Sequence, residues 1–119
     1  MKKKLLALLM AAVMVFGLTA CGGGDDDGLI KVGIINNDPN ESGYRTANDA
    51  DMKKMFTEAN GYKASFAYSL KNDEQIQHAQ KLIQDGVDYL LLSAADVAGW
   101  DGVLKEAKEA GVQVILFDR

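Results

Sequence analysis

The chain of 119 residues has one cysteine, one proline, one histidine and one tryptophan. With Cys21 alone, no internal disulfide can form, so the fold is not held by covalent cross-links. The single histidine, His78, has no partner constellation around it and reads as an incidental residue on the flank of a helix. No Gly-rich phosphate loop, nucleophile elbow or metal-ligand cluster occurs, which argues against an enzyme and implies neither metal nor cofactor. The longest apolar run, residues 5–17, is too short to span a bilayer as a mature helix.

The N-terminus has its own organisation. Lys2, Lys3 and Lys4 precede the apolar run, and Leu18-Thr19-Ala20-Cys21 follows it. This order resembles the lipobox of bacterial lipoproteins, which implies a signal peptide over residues 1–20 and a lipid on Cys21. Taking those three lysines from the 13 basic residues leaves ten against 17 acidic ones. A mature chain so acidic excludes a nucleic-acid partner, which needs a basic face. It also removes generic attraction to anionic lipid, so membrane attachment would come through Cys21. Residues 21–28, rich in glycine and aspartate, read as a solvated tether.

From residue 29 onward one pattern repeats. Strands are expected over 29–36, 62–68, 87–93 and 112–117, and helices over 41–59, 73–85 and 98–110. Gly61, Gly86 and Gly111 stand just past the helices, where glycine supplies the left-handed turn that stops them. Alternation of this kind predicts an α/β fold with an open parallel sheet, helices on both faces and right-handed crossovers. The first strand, with Val32, Ile34 and Ile35, reads as buried on both faces. The second alternates like an edge strand, and the third and fourth read as central. Tyr44, Met52, Met55, Phe56 and Ala59 form the expected inward stripe of the first helix. Trp100, Val103, Leu104, Ala107 and Ala110 form that of the third. Asn72 with Gln75 reads as a capping box at the start of the second helix.

Three strand-to-helix junctions at the carboxyl edge are polar: residues 36–45, 93–100 and 118–119. In open parallel sheets ligands bind at that edge. Asp118-Arg119 directly follows an apolar strand, and the first loop offers Asn40 or Ser42 as a helix cap.

Glu41-Ser42-Gly43-Tyr44-Arg45, the Ala98-Gly99-Trp100-Asp101 segment and the closing Asp118-Arg119 together resemble the N-terminal lobe of type 1 periplasmic sugar-binding proteins. The first of these segments is similar to the galactofuranose-binding branch. The resemblance covers residues 30–119. It implies a flavodoxin-like βα lobe that binds a monosaccharide for the permease of an ABC importer. It further implies a cell-envelope location, a monomer and no enzymatic activity. The ligand contacts it implies are Asp38, Asn40, Glu41, Ser42, Tyr44, Arg45, Asp118 and Arg119. The first loop is one residue longer than the galactofuranose pattern, in the Asp38-Pro39-Asn40 region. Members of that family close two lobes on the sugar, so this chain would be a fragment carrying the first lobe, residues 29–119, without hinge or second lobe. The same pocket would also suit a sugar sensor that presents its ligand to a chemoreceptor or membrane kinase.

Overall fold

The computed structural model describes residues 27–118. Four strands, β1 (Ile30–Asn36), β2 (Tyr62–Tyr68), β3 (Tyr89–Leu92) and β4 (Gln113–Leu116), form one parallel sheet in the order β2-β1-β3-β4. The connecting helices are α1 (Gly43–Met55), α2 (Asn72–Gln84) and α3 (Asp101–Glu109). The chain steps outward from β1 to β2, then returns past β1 to β3. With right-handed crossovers, that reversal puts α1 on one face and α2 and α3 on the other. The expected α/β architecture is the observed one.

The buried character of β1 follows from this placement. Val32, Ile34 and Ile35 are 2%, 1% and 0% exposed. Successive side chains alternate between faces, so Gly33 and Ile35 look toward α2. Ile35 joins Leu82, Leu90, Leu92, Trp100 and Val103 in the main core. A Cβ on Gly33 would stand 2.9 Å from Leu82 Cδ1 and 3.3 Å from Leu82 Cβ. The missing side chain is what lets α2 lie this close to the sheet. Gly86 and Gly111, with φ of 83° and 76°, end α2 and α3 as expected.

Five features differ from the sequence reading. The first helix is shorter than 41–59: it stops at Met55, and a 3-10 turn at Glu58–Asn60 leads into β2. The Asn60 side chain donates to the Met55 carbonyl at 2.8 Å, meeting one of the carbonyls a helix end leaves bare. Its inward face is not the apolar stripe. Tyr44 and Met55 are exposed, whereas Arg45 and Asp49 are buried. A capping box is absent from α2: its N-cap is Lys71, without a side-chain cap bond, and Asn72 and Gln75 reach to other loops. Finally, β4 is the outermost strand among the described residues, with Ile115 and Leu116 exposed. On α3, Trp100, Val103 and Ala107 face the core as expected, and Leu104 and Ala110 do not.

The polar inner face of α1 is satisfied in a cluster at β2. Tyr68 donates its hydroxyl to Asp49 Oδ1, and Lys53 Nζ lies 2.9 Å from Asp49 Oδ2. The same ammonium lies 5.7 Å and 5.6 Å from the ring centres of Phe66 and Tyr68, within cation–π range. Burial alone would raise the Asp49 carboxyl, but the hydrogen bonds from Tyr68 and Lys53 outweigh it and hold the group below its ordinary 3.8. Burial and the bond to Asp49 push the Tyr68 phenol up.

Two outcomes are expected. Gly33→Ala forces Leu82 and α2 outward, and should cost about 1–3 kcal/mol as overpacking does, read from urea unfolding midpoints. Asp49 has a depressed folded pKa, so its contribution is complete above 3.8 and is lost as pH falls through the folded value. Between pH 7 and pH 3 the wild type should therefore lose more stability than Asp49→Asn. Equal losses in the two proteins would show that the carboxylate is not held in this way.

Candidate functional site

Because all four strands are parallel, their carboxyl ends open on one edge, where the helices also begin. Asn36, Asn37, Arg45, Gln75 and Ser93 are buried polar residues there. Asn36 and Asn37 end the run of β1, Ser93 follows β3, and Arg45 is in the first turn of α1.

Ser42 sets the position of Arg45. It is the N-cap of α1, and its Oγ accepts the Arg45 backbone N–H at 3.2 Å. The Arg45 guanidinium then points inward with only 7% of its side chain exposed. Nε lies 2.9 Å from Glu41 Oε2, and Nη1 lies 2.8 Å from Asp118 Oδ2. Nη1 also donates to Asn36 Oδ1 at 3.2 Å and to Ser93 Oγ at 3.4 Å. Asp118 reaches this position through an unusual backbone. Its φ is 69°, the only positive value outside glycine among the described residues. Aspartate tolerates the left-handed region better than most residues, and such strain concentrates at functional sites.

A second set of bonds fixes the loops around this cluster. The Gln75 side chain, fully buried on α2, donates to the carbonyls of Ser69 and Ser93 at 3.0 Å and 3.2 Å. Its Oε1 accepts the Ala95 N–H at 2.8 Å. Asn72 donates to the Ala98 carbonyl at 2.6 Å and accepts from Trp100 Nε1 at 3.0 Å. The loops after β2 and β3 are thereby tied to one helix turn.

Of the residues expected at the site, Glu41, Arg45 and Asp118 are brought together. Ser42 adjoins them, with its oxygen engaged as a cap. Asp38 organises its own turn: its Oδ1 accepts the Asn40 N–H at 2.8 Å, and its carbonyl accepts the Glu41 N–H at 3.1 Å. It also lines a cleft of about 340 Å³ with Tyr68, Ser69, Leu70, Lys71 and Glu74. Asn40 is exposed beside it, and Tyr44 is 59% exposed and outside the ion-pair cluster. Arg119 and Cys21 lie outside the described residues. Asn36, Asn37 and Ser93 entered the sequence reading only as members of polar junctions, and Gln75 only as half of a capping box. The available signal was position: polar residues directly after apolar strands, at the edge where parallel strands end.

Chemically, the cluster sets two carboxylates, Glu41 and Asp118, against one guanidinium among the described residues. Donors and acceptors side by side suit hydroxyl groups, which are both. Among the described residues no group of three or more His, Cys, Asp or Glu could hold a metal ion.

The class of protein comes from comparison of this parallel α/β chain with known proteins. A family described as the periplasmic binding protein domain matches residues 32–119. The chain belongs to that family. It is 38% identical to the fructose import binding protein FruE of Bifidobacterium longum, over 98% of this chain and 37% of FruE. It is 35% identical to the galactofuranose-binding protein YtfQ of Escherichia coli, over 66% of this chain and 25% of YtfQ. A Mycobacterium smegmatis protein solved in complex with β-D-fucofuranose superposes with a TM-score of 0.65 at 37% identity, over 73% of this chain and 28% of that one. The chain therefore spans between 25% and 37% of the length of these relatives.

Proposed function

We propose that the chain is the sugar-recognising lobe of the substrate-binding protein of an ABC importer, and that it takes a neutral monosaccharide at the carboxyl edge of its sheet. The observation that carries this reading is the Glu41–Arg45–Asp118 cluster, a buried cation between two partly exposed carboxylates. Glu41 and Asp118 each keep lone pairs beyond the bond to Arg45 and accept from sugar hydroxyls. Arg45 donates to a hydroxyl or ring oxygen in the fixed plane of the guanidinium. Asp38, Asn40 and Ser42 line the rim, Tyr44 supplies an aromatic wall for the C–H face of the sugar, and Arg119, outside the described residues, is retained as a ligand contact on the resemblance alone. The fructose, galactofuranose and fucofuranose named for the relatives are all neutral, hydroxyl-rich sugars, in keeping with the adjoining donors and acceptors. In this reading the sheet supplies one wall of the pocket and a second lobe the other. The protein is a monomer in the cell envelope, held to the membrane by lipid on Cys21, and hands its ligand to a permease.

Asp118→Asn keeps size and backbone tolerance but weakens the bond to Arg45 and the hydroxyls. A charge-assisted bond contributes roughly 1.5–3 kcal/mol, so calorimetry on a two-lobed protein carrying this lobe should show affinity about tenfold to a hundredfold lower. Wild-type affinity in that variant would take Asp118 out of the site. The anchoring is read separately. Cys21→Ser should move the protein from the detergent phase to the aqueous phase in a phase-separation assay, and a wild type already in the aqueous phase would contradict the lipid anchor.

A further inference from the structure

Asn37 is 1% exposed at the carboxyl end of β1, directly beside the residues that hold Arg45. Its Nδ2 donates to the Ser93 carbonyl at 3.2 Å and to Ser93 Oγ at 3.1 Å. Its Oδ1 is buried with no hydrogen-bond partner, alone in this among the buried side-chain polar atoms of the described residues. Buried acceptors are nearly always satisfied, because a bare one has forfeited its hydration for nothing. Turning the amide over does not help. The oxygen would then face the Ser93 carbonyl, and the nitrogen would be left bare instead.

Nor do the neighbours need Asn37. The Ser93 carbonyl also accepts from Gln75 Nε2 at 3.2 Å. Ser93 Oγ also accepts from Arg45 Nη1 at 3.4 Å and donates to Asp118 Oδ2 at 3.5 Å. The amide is thus pinned in one orientation, dispensable to the groups that pin it, and aimed with an acceptor that nothing in the described chain uses.

We propose that Asn37 is a specificity-determining residue whose Oδ1 accepts a hydrogen bond from one hydroxyl of the bound monosaccharide. The proposal rests on the sugar-binding reading above and deepens it. Glu41 and Asp118 already share their charge with Arg45, whereas Asn37 offers an uncharged acceptor in a fixed position. Such an acceptor demands a donor. A sugar with a deoxy, keto or O-methyl position at that point would leave Oδ1 bare, and a site built this way rejects it. For the hydroxyl to reach Oδ1, residues 38–40 must let it through. These are exposed or half-buried, and are held by their own turn and by one bond from Thr46 Oγ1 to the Pro39 carbonyl.

The test is calorimetry on the two-lobed protein that carries this lobe, with D-fructose and its monodeoxy analogues as probes and the melting temperature as control. Asn37→Ala should lower D-fructose affinity about tenfold, as loss of one well-placed hydrogen bond does, without lowering the melting temperature. One monodeoxy analogue should bind the wild type as weakly as D-fructose binds the variant, and should lose nothing further on the variant. Wild-type affinity in Asn37→Ala overturns the proposal. So does an equal further loss for every analogue, which would mean that Asn37 only shapes the loop. If the alanine variant does not fold, Asn37→Ser is read in the same way. If the wild type binds neither D-fructose, D-galactofuranose nor L-arabinose, the sugar reading itself fails and the proposal with it.

Discussion

The burial of the Arg45 guanidinium is the constraint on which the rest of the carboxyl edge depends. A cation cannot leave water unless other groups replace its hydration. Here the replacements come from different parts of the chain: Asn36 from β1, Ser93 from the end of β3, Asp118 from beyond β4 and Glu41 from the first loop. A charge that needs all four holds three strand ends and a helix start in fixed relation. Buried ion pairs are weak evidence for stability. What this one supplies is placement, since moving a strand end away would break a bond to the guanidinium.

The framework beneath it is built to be stiff. β1 lies between two other strands with helices on both faces, and Gly33 lets α2 approach it closely. On the other face α1 is held to β2 by polar contacts through Asp49, Tyr68 and Lys53 rather than by an apolar stripe. One helix is thus anchored by packing and the other by charge and hydrogen bonding. The two are expected to respond differently to acid.

Much of this could be read from the chain beforehand. The alternation of apolar runs with capped helical stretches, the glycines after each helix and the polar junctions all depend on local chemistry, and they led to the correct architecture. The role of Ser42 as cap and the meeting of Glu41, Arg45 and Asp118 at one edge were also within reach. The inner face of α1 was not. Hydrophobic periodicity assumes that buried means apolar, and Arg45 and Asp49 break that rule by pairing with residues distant in sequence. Asn72 and Gln75 have the spacing of a capping box, but tertiary partners on other loops took their side chains. The strand at 112–117 is as apolar as a central one, yet no neighbour covers its outer edge among the described residues. Asn37 showed only as one polar residue among several, since an orphaned oxygen exists only once the surrounding atoms are in place.

Gln75 is a single side chain shared by two loops. Its amide holds Ser69 on one side of the cleft and Ser93 and Ala95 on the other, and it does so from inside the fold, where water cannot substitute. Neither loop can open fully without breaking bonds to the same group. Thermal openings of these segments are therefore coupled into one cooperative unit with the start of α2, instead of occurring as separate frayings. Exchange of the Ala95 amide hydrogen with solvent would then follow the opening of that helix. Pressure applied by a ligand to the loop after β2 would be felt in the loop after β3 with no direct contact between them.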